Sequence, residues 1–444
     1  MPDNGLDILT LAGAIRLIRQ KQISASELRA KVLERIDRLN PDVRAFITVL
    51  RDEPLNEGIA PLHGAPISVK DLYDTKGVRT TAGARLYANR IPDEDAAAVT
   101  RLKRAGATII GKTNLHEFAY GVTTVNPHFG TALNPWHRAH IAGGSSGGSA
   151  VAVAWSMGLG SLGTDTGGSI RIPAALCGIV GLKPTYGKVS VKGIIPLSCS
   201  LDHAGPMTRT VEDAALLLQV ITEENIPSPK YIDSLTGDIR NIRIGIPHTY
   251  FYEQLDPDVA TAVRKGLGSM ERLGAKIVDV GLATVPAHSG AWVQIASPEA
   301  YAYHERHLEE HGELYGADVR TRLESGRTLL SVDYVRACEV RRQIQSECAK
   351  AFEKCDVMVT PTVPIPAPRI DALNQTAIAA LGRFTRYFNL AGVPAISVPC
   401  GFTRDGLPIG MQIIGKTCDE ETVLRVAHAY EQNARWFERR PAIS

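Results

Sequence analysis

The chain has 444 residues, 44% hydrophobic and 22% charged, and its 49 basic and 47 acidic side chains leave a net charge of +2. That is ordinary globular composition, and the charge balance gives no electrostatic footprint for nucleic acid or for an anionic membrane. Seven cysteines, an odd number with no C-x-x-C among them, argue against a disulfide framework or a thiolate metal site and for a reducing, cytoplasmic setting.

The N-terminal Met1-Pro2-Asp3-Asn4-Gly5-Leu6-Asp7 lacks the basic start of a signal peptide, and no apolar run reaches the ~20 residues of a membrane span. Ile8 to Leu39 predicts two amphipathic helices broken near Lys21-Gln22-Ile23. The second opens on Ser24-Ala25-Ser26-Glu27, a capping-box pattern. Pro66 to Val69 is an apolar, strand-like run that ends in Lys70. Asp93 to Arg104 reads as a helix with acids in its first turn, capped by Gly106 and followed by a strand over Ala107 to Ile110.

The polar stretch around Glu223 to Arg240 is the expected internal joint. Beyond it, Ile242 to Ile246 predicts a strand. A helix begins at Pro257 behind Asp256, with Val259, Val263, Leu267, Met270 and Leu273 as one buried stripe; Gly274 then leads into a strand at Lys276 to Val278. Further strands are predicted at Asp356 to Val359, Ala395 to Val398 and Ile409 to Ile414, and a helix from Glu420 to Asn433 closes the chain. Alternating elements predict an α/β layered fold with a largely buried sheet. No repeat or low-complexity tract appears. Residues 1–444 are therefore expected to form one domain, with a helical segment over about 1–60 and a core over about 61–444.

The chemistry concentrates in two glycine-rich stretches, Gly143-Gly144-Ser145-Ser146-Gly147-Gly148-Ser149 and Gly163-Thr164-Asp165-Thr166-Gly167-Gly168-Ser169-Ile170-Arg171. Glycine lets backbone N–H groups approach a ligand and face one way. A serine hydroxyl beside such a turn can attack a carbonyl while the N–H groups hold the oxyanion, each donor contributing ~3–4 kcal/mol. Ser169 ends a Gly-Gly turn and is the candidate nucleophile, with the N–H groups of Thr166, Gly167, Gly168 and Ser169 as the expected oxyanion hole. A turn capped by an N-cap serine is the plainer reading of either stretch alone; two such loops together favour chemistry.

No histidine lies between Ser145 and Ser169, so the base must be sought elsewhere. Lys70 ends an apolar run, where a strand end meets a cleft in α/β proteins. Serving as a base near neutral pH requires burial to lower its pKa from ~10.4 to near 7, a change of ~4 kcal/mol within the range known for buried lysines. Position alone does not establish that role.

Lys70, the Gly-Gly-Ser-Ser-Gly-Gly element and Gly-Thr-Asp-Thr-Gly-Gly-Ser-Ile-Arg together resemble the amidase signature family. The similarity extends through Val180-Gly181-Leu182-Lys183-Pro184-Thr185-Tyr186-Gly187, Ser200-Leu201-Asp202-His203-Ala204-Gly205-Pro206 and Asn389-Leu390-Ala391-Gly392-Val393-Pro394. It covers most of the chain from about Leu62 onward. The resemblance implies the family's fold, a mixed central β-sheet covered on both faces by α-helices. It also implies a Ser–cis-Ser–Lys triad: Ser169 as nucleophile, Ser145 as the bridging serine behind a cis peptide bond, and Lys70 as base. No metal or cofactor is implied.

Other motifs are weaker. Gly106 to Thr113 matches G-x-x-x-x-G-K-[ST] letter for letter, yet here a helix precedes the first glycine and the strand lies between the glycines, which is not P-loop context. His304 and His307 on a predicted helix lack a third ligand and read as solvated residues. His203 beside Asp202 suggests a Ser-His-Asp triad, which the resemblance turns into a structural role. Asp165 and Arg171 are expected to brace the nucleophile loop, while Phe118 and Tyr120 are candidates for the acyl pocket or for the core.

The family includes free amidases and the glutaminase component of the aminoacyl-tRNA amidotransferase, which releases ammonia from glutamine. Asn134-Pro135-Trp136 and Lys183 to Gly187 resemble both. His116, where the glutaminase component usually carries an acid, and a middle region from Val319 to Pro366 that is short for that component favour the free enzyme. The expectation is an amidohydrolase that cleaves a carboxylic amide C–N bond through a serine acyl-enzyme and releases ammonia or an amine; the alternative is the glutamine-hydrolysing component of the amidotransferase. The expected partner is a small-molecule amide, nucleic acid and membrane are not expected, and a homodimer stays open. Specificity is expected to lie around Ala291 to Glu324 and Thr376 to Phe388.

Overall fold

The computed structural model describes residues 5, 8–54, 60–222 and 231–442. Of the expected joint, residues 223–230 lie outside these, as do residues 1–4 of the N-terminus. Eleven strands form one sheet: β1 (Phe46–Val49), β2 (Pro66–Lys70), β3 (Thr108–Thr113), β4 (Gly160–Thr164), β5 (Val180–Lys183), β6 (Ala204–Thr208), β7 (Arg243–Ile246), β8 (Lys276–Asp279), β9 (Val357–Pro361), β10 (Ala395–Phe402) and β11 (Pro408–Gly415). Their order is β1-β3-β2-β4-β6-β5-β10-β11-β9-β7-β8. β2 runs parallel to both β3 and β4, and β7 parallel to β8 and β9, while the strands between and β1 pair antiparallel.

The helices are α1 (Leu11–Arg19), α2 (Ala25–Val43), α3 (Ala97–Arg104), α4 (Gly147–Ala154), α5 (Arg171–Cys177), α6 (Val211–Ile221), α7 (Pro257–Arg272), α8 (His288–His311), α9 (Ala317–Arg327), α10 (Ser331–Lys354), α11 (Gln375–Leu381), α12 (Arg386–Ala391) and α13 (Glu420–Ala434). They cover both faces of the sheet. Side chains of a strand alternate between faces, and here alternate residues enter different cores. Val357 and Val359 of β9 join a core with Val32 of α2, Leu217 of α6, Val263 of α7 and Val426 of α13. Met358 and Ile414 join a second core with Ile295 of α8, Leu323 of α9, Ile344 of α10 and Phe388 of α12. Nearly every residue of β2, β3, β4, β10 and β11 is buried, as strands covered on both faces must be. The mixed, doubly covered α/β sheet is the architecture the sequence predicts.

The local signals hold in most places. Ser24 and Glu27 form the capping box of α2, and Asp256 caps α7 with Pro257 in its first turn. Two readings are corrected. The helix expected from Asp93 begins only at Ala97, because Asp95 accepts the Lys76 N–H at 2.8 Å and pairs with Lys103 at 3.0 Å, while the Ala96 N–H donates to the Asp74 carbonyl; these bonds hold 93–96 outside the helix. The strand expected to stop at Ile110 continues to Thr113. Gly111, Lys112 and Thr113 are therefore buried sheet residues, and the P-loop pattern is a coincidence of spelling. Among the described residues no helix is long and apolar enough to cross a membrane.

Candidate active site

Because β2 and β4 are parallel neighbours with Val69 opposite Leu162, their C-terminal ends finish side by side. That register brings Lys70 beside Thr164. The Lys70 Nζ donates to the Ser145 Oγ at 2.7 Å and to the Thr164 Oγ1 at 2.7 Å. Lys70 is fully buried, and burial lowers its pKa from 10.5 to about 7, against the pull of the Asp202 and Asp165 carboxylates. Its bonded partners are hydroxyls. Lys112, one strand over on β3, is equally buried but lies 3.5 Å from Asp71 and donates to the Tyr73 carbonyl and the Thr80 hydroxyl. Burial lowers Lys112 only to about 8, since Asp71 opposes the shift.

Ser145 follows a cis peptide bond from Gly144. Its carbonyl accepts from the His116 N–H at 3.1 Å and the Thr124 hydroxyl at 3.3 Å. A Cβ on Gly144 would come within 2.8 Å of the Thr123 backbone N, so this loop admits only glycine there. The next residue, Ser146, donates its N–H to the Ser169 carbonyl at 3.2 Å, which docks the first glycine loop on the second. No side-chain hydrogen bond joins Ser145 to Ser169 in this geometry.

The second loop leaves β4 at Thr164 and enters α5 at Arg171, with Ser169 at its tip, 5% exposed. Gly168 has φ +128°, and a Cβ there would lie 2.2 Å from the Thr385 Oγ1, so glycine is required. The Asp165 carboxylate is the keystone. It accepts from the Gly168 N–H at 2.7 Å and the Ile170 N–H at 3.2 Å, from Arg171 Nε and Nη2 at 3.0 Å each, and from Asn389 Nδ2 at 2.8 Å. Burial pushes this carboxyl up, but the Arg171 guanidinium outweighs it and holds Asp165 well below the usual carboxylate range. Asp165 and Arg171 thus occupy the bracing positions the sequence suggested. The Gly168 N–H is committed to Asp165, whereas those of Thr166, Gly167 and Ser169 have no protein acceptor among the described residues.

Ser169 opens into a cavity of about 270 Å³, lined also by Tyr120, Thr166, Gly167, Trp292, Ser297, Arg322, Gln375, Ile378 and Arg386. That volume sits at the lower end of small-molecule pockets. The Trp292 Nε1 donates to the Thr166 carbonyl at 2.9 Å, the Tyr120 hydroxyl shares a bond with Ser297 at 2.8 Å, and Arg322 donates to the Tyr120 carbonyl. Both segments expected to carry specificity reach this cavity: Trp292, Ser297 and Arg322 come from the first, Ile378 and Arg386 from the second.

Of the two candidate pocket aromatics, Tyr120 lines the cavity and Phe118 does not. Phe118 is buried against Tyr87, His304 and Tyr315, because the backbone turns through positive φ at Phe118 and Ala119. His304 is not solvated as expected. It is buried, its Nδ1 within 3.0 Å of the Tyr315 hydroxyl, and burial lowers its pKa to about 3. Among the described residues, the His203 ring meets the carbonyls of Leu201 and Asp165 and the ring of Tyr186, and bonds to neither Ser145 nor Ser169. Asp202 instead accepts from the Thr166 hydroxyl at 2.6 Å. Among the described residues no three His, Cys, Asp or Glu side chains could hold a metal. Thr164, Trp292 and Arg386 were missed by sequence reasoning. Thr164 lies inside the second motif, but its role follows from strand register.

Known proteins resemble this chain over nearly its whole length. The amidase family model matches residues 27–424. The glutamyl-tRNA(Gln) amidotransferase A-subunit of Geotalea daltonii is 41% identical over 96% of this chain and 97% of its own length. Among solved structures, a crystal structure of an amidase superposes with a TM-score of 0.88 at 36% identity, covering 96% of this chain and all of the other. The glutamyl-tRNA(Gln) amidotransferase A-subunit of Thermotoga maritima superposes at 0.86 with 35% identity, covering 97% and 95%.

Proposed function

This chain belongs to the amidase family of amide hydrolases, and from that premise we propose that Lys70, Ser145 and Ser169 cleave a carboxylic amide through an acyl-enzyme. The observation that carries the proposal is a buried lysine, its pKa lowered to about 7, bonded at 2.7 Å to a serine on the loop that docks against Ser169. Neutral Lys70 takes the Ser145 proton as Ser145 takes that of Ser169. The Ser169 oxygen bonds to the amide carbon, and the N–H groups of Thr166, Gly167 and Ser169 hold the oxyanion. Collapse breaks the C–N bond, with the proton returned through Ser145 to the leaving nitrogen. Water, activated by the same relay, then releases the acid. Substrate must close the Ser145–Ser169 contact, a tightening common between free and bound enzymes.

A fluorophosphonate tests the assignment. Labelling should map to the peptide holding Ser169 and disappear in Ser169→Ala; a label elsewhere, or full activity in that variant, overturns it.

Two readings of the substrate remain within this chemistry. Full-length likeness to the glutamyl-tRNA(Gln) amidotransferase A-subunits supports the glutamine-hydrolysing component better than the free amidase that His116 and the short middle region favour. In the first reading a partner protein uses the ammonia. In both, the chain works as one catalytic unit in the cytoplasm. Hydrolysis of simple amides by the purified chain marks a free amidase; activity that needs charged tRNA and a partner protein marks the amidotransferase component.

A further inference from the structure

The cavity beside Ser169 holds two guanidinium groups with different surroundings. Arg322 is engaged: it donates to the Tyr120 carbonyl and lies 3.7 Å from the Asp318 carboxylate. Arg386 has no hydrogen-bond or ion-pair partner among the described residues. Its guanidinium lies 4.5 Å over the Trp292 ring, and the nearby Arg322 charge only adds to its electrostatic burden. No aspartate or glutamate lines the cavity. A half-buried cation without an acceptor is costly unless an incoming anion completes it. The same Trp292 donates to the Thr166 carbonyl in the nucleophile loop, so the free guanidinium stands one indole ring away from the reacting centre.

We propose that Arg386 binds a carboxylate on the acyl portion of the substrate, which makes the preferred substrates monoamides of short dicarboxylic acids that carry no ammonium group and so sides with the free amidase against the glutamine-hydrolysing reading. The carboxylate accepts two parallel N–H bonds at the edge of the guanidinium, whose planar fork suits it, and Trp292 fixes the plane in which that fork is held. An α-ammonium on the same acyl chain finds no counter-charge in this cavity. It would face two arginines instead. The cavity volume of about 270 Å³ limits the acyl chain to a few carbons. This inference rests on the amide-hydrolase reading for turnover but not for binding.

Three amides of one skeleton separate the possibilities: pentanamide, its terminal carboxylate analogue glutaramate, and glutamine, which is glutaramate bearing an α-ammonium. Ammonia release by the purified chain should give a kcat/KM for glutaramate about 10- to 100-fold above both others, as a hydrogen-bonded charged contact provides. Arg386→Met should collapse the glutaramate-to-pentanamide ratio to within about threefold, and Arg386→Lys should restore part of it. Equal rates on glutaramate and pentanamide, a ratio unchanged in Arg386→Met, or preference for glutamine overturns the proposal. Binding is read separately from chemistry by the thermal shift that glutarate gives in Ser169→Ala with Arg386 intact and with Arg386→Met added. A shift that needs Arg386 upholds the anion site even where the purified chain hydrolyses no amide, a result that would sink only the free-amidase reading. A shift of equal size in both, or none in either, overturns the anion site itself.

Discussion

The floor of the cavity is the second glycine loop, through Thr166, Gly167 and Ser169, backed by the first glycine loop and the ends of β2 and β4, whereas its walls come from α8, α9, α11 and α12 and from the turn that carries Tyr120. The floor uses small groups, hydroxyls and backbone N–H, each set by strand register or by a glycine that nothing else could replace. The walls use large side chains, Trp292, Arg322 and Arg386, placed by helix packing over the second core. Bond-making chemistry tolerates little displacement and is therefore fixed by the sheet. Recognition can be varied by exchanging residues on helices without disturbing the register beneath.

The largest effects should come from breaking the floor. Ser169→Ala should lower kcat roughly 10⁴-fold or more, and Ser145→Ala roughly 10³-fold, measured as ammonia release. If Ser145→Ala costs less than about tenfold, Lys70 reaches Ser169 by another route and the relay falls.

Titration sharpens the contrast next. In the proposed mechanism the neutral lysine is the active form, so kcat/KM should rise with pH through about 7 and level off above it. Thr164→Val removes an acceptor that favours the ammonium form, so this limb should move to lower pH. A limb that stays in place would detach Thr164 from the base. Stability follows the same group. Between about 7 and the ordinary lysine value the unfolded chain binds a proton that the folded chain does not, so stability should rise with pH across that window. Lys70→Met should abolish this slope and, at pH 6, melt about 3 °C or more above the parent while losing activity. An unchanged slope would mean that Lys70 titrates normally.

Wall substitutions should weigh less on chemistry. Trp292→Phe keeps a ring under Arg386 but loses the bond to the Thr166 carbonyl, and should cost about tenfold in kcat/KM. Tyr120→Phe, which loses only a hydroxyl pair with Ser297, should stay within about threefold. A wall variant as damaging as Ser145→Ala would erase the distinction between the two regions.

The same division explains what could be read from the sequence. Ser145, Ser169, Gly168 and Asp165 announce themselves because they stand inside two contiguous glycine-rich motifs, even though Lys70 and Asn389, which bond Ser145 and Asp165, lie far away in the chain. The strands β7 to β11 and helices α2, α7 and α13 were legible from apolar period and caps. Thr164 was not, since its contact with Lys70 depends on how β2 and β4 align. Arg386 sits in Arg383-Phe384-Thr385-Arg386, which carries no signal distinguishing a surface cation from one held over Trp292. Asp93 to Ala96 misled because acids before an apolar run look like a first helical turn, while Asp95 is held by Lys76 and Lys103. Phe118 and His304 misled for a related reason: a positive-φ turn and an aromatic partner, neither visible locally, bury them together.

The brace on the nucleophile loop also sets an order of events in biogenesis. Arg171 reaches Asp165 six residues away, but the same guanidinium donates to Asn389 Oδ1 at 2.7 Å and to Gln412 Oε1 at 2.9 Å, partners 218 and 241 residues downstream. A growing chain therefore carries Lys70, Ser145 and Ser169 long before it carries the groups that orient the loop between them. On the proposed mechanism, a chain truncated before Asn389 and Gln412 should hold all three proposed catalytic residues and yet give no fluorophosphonate labelling at Ser169, because the groups that brace its loop are missing.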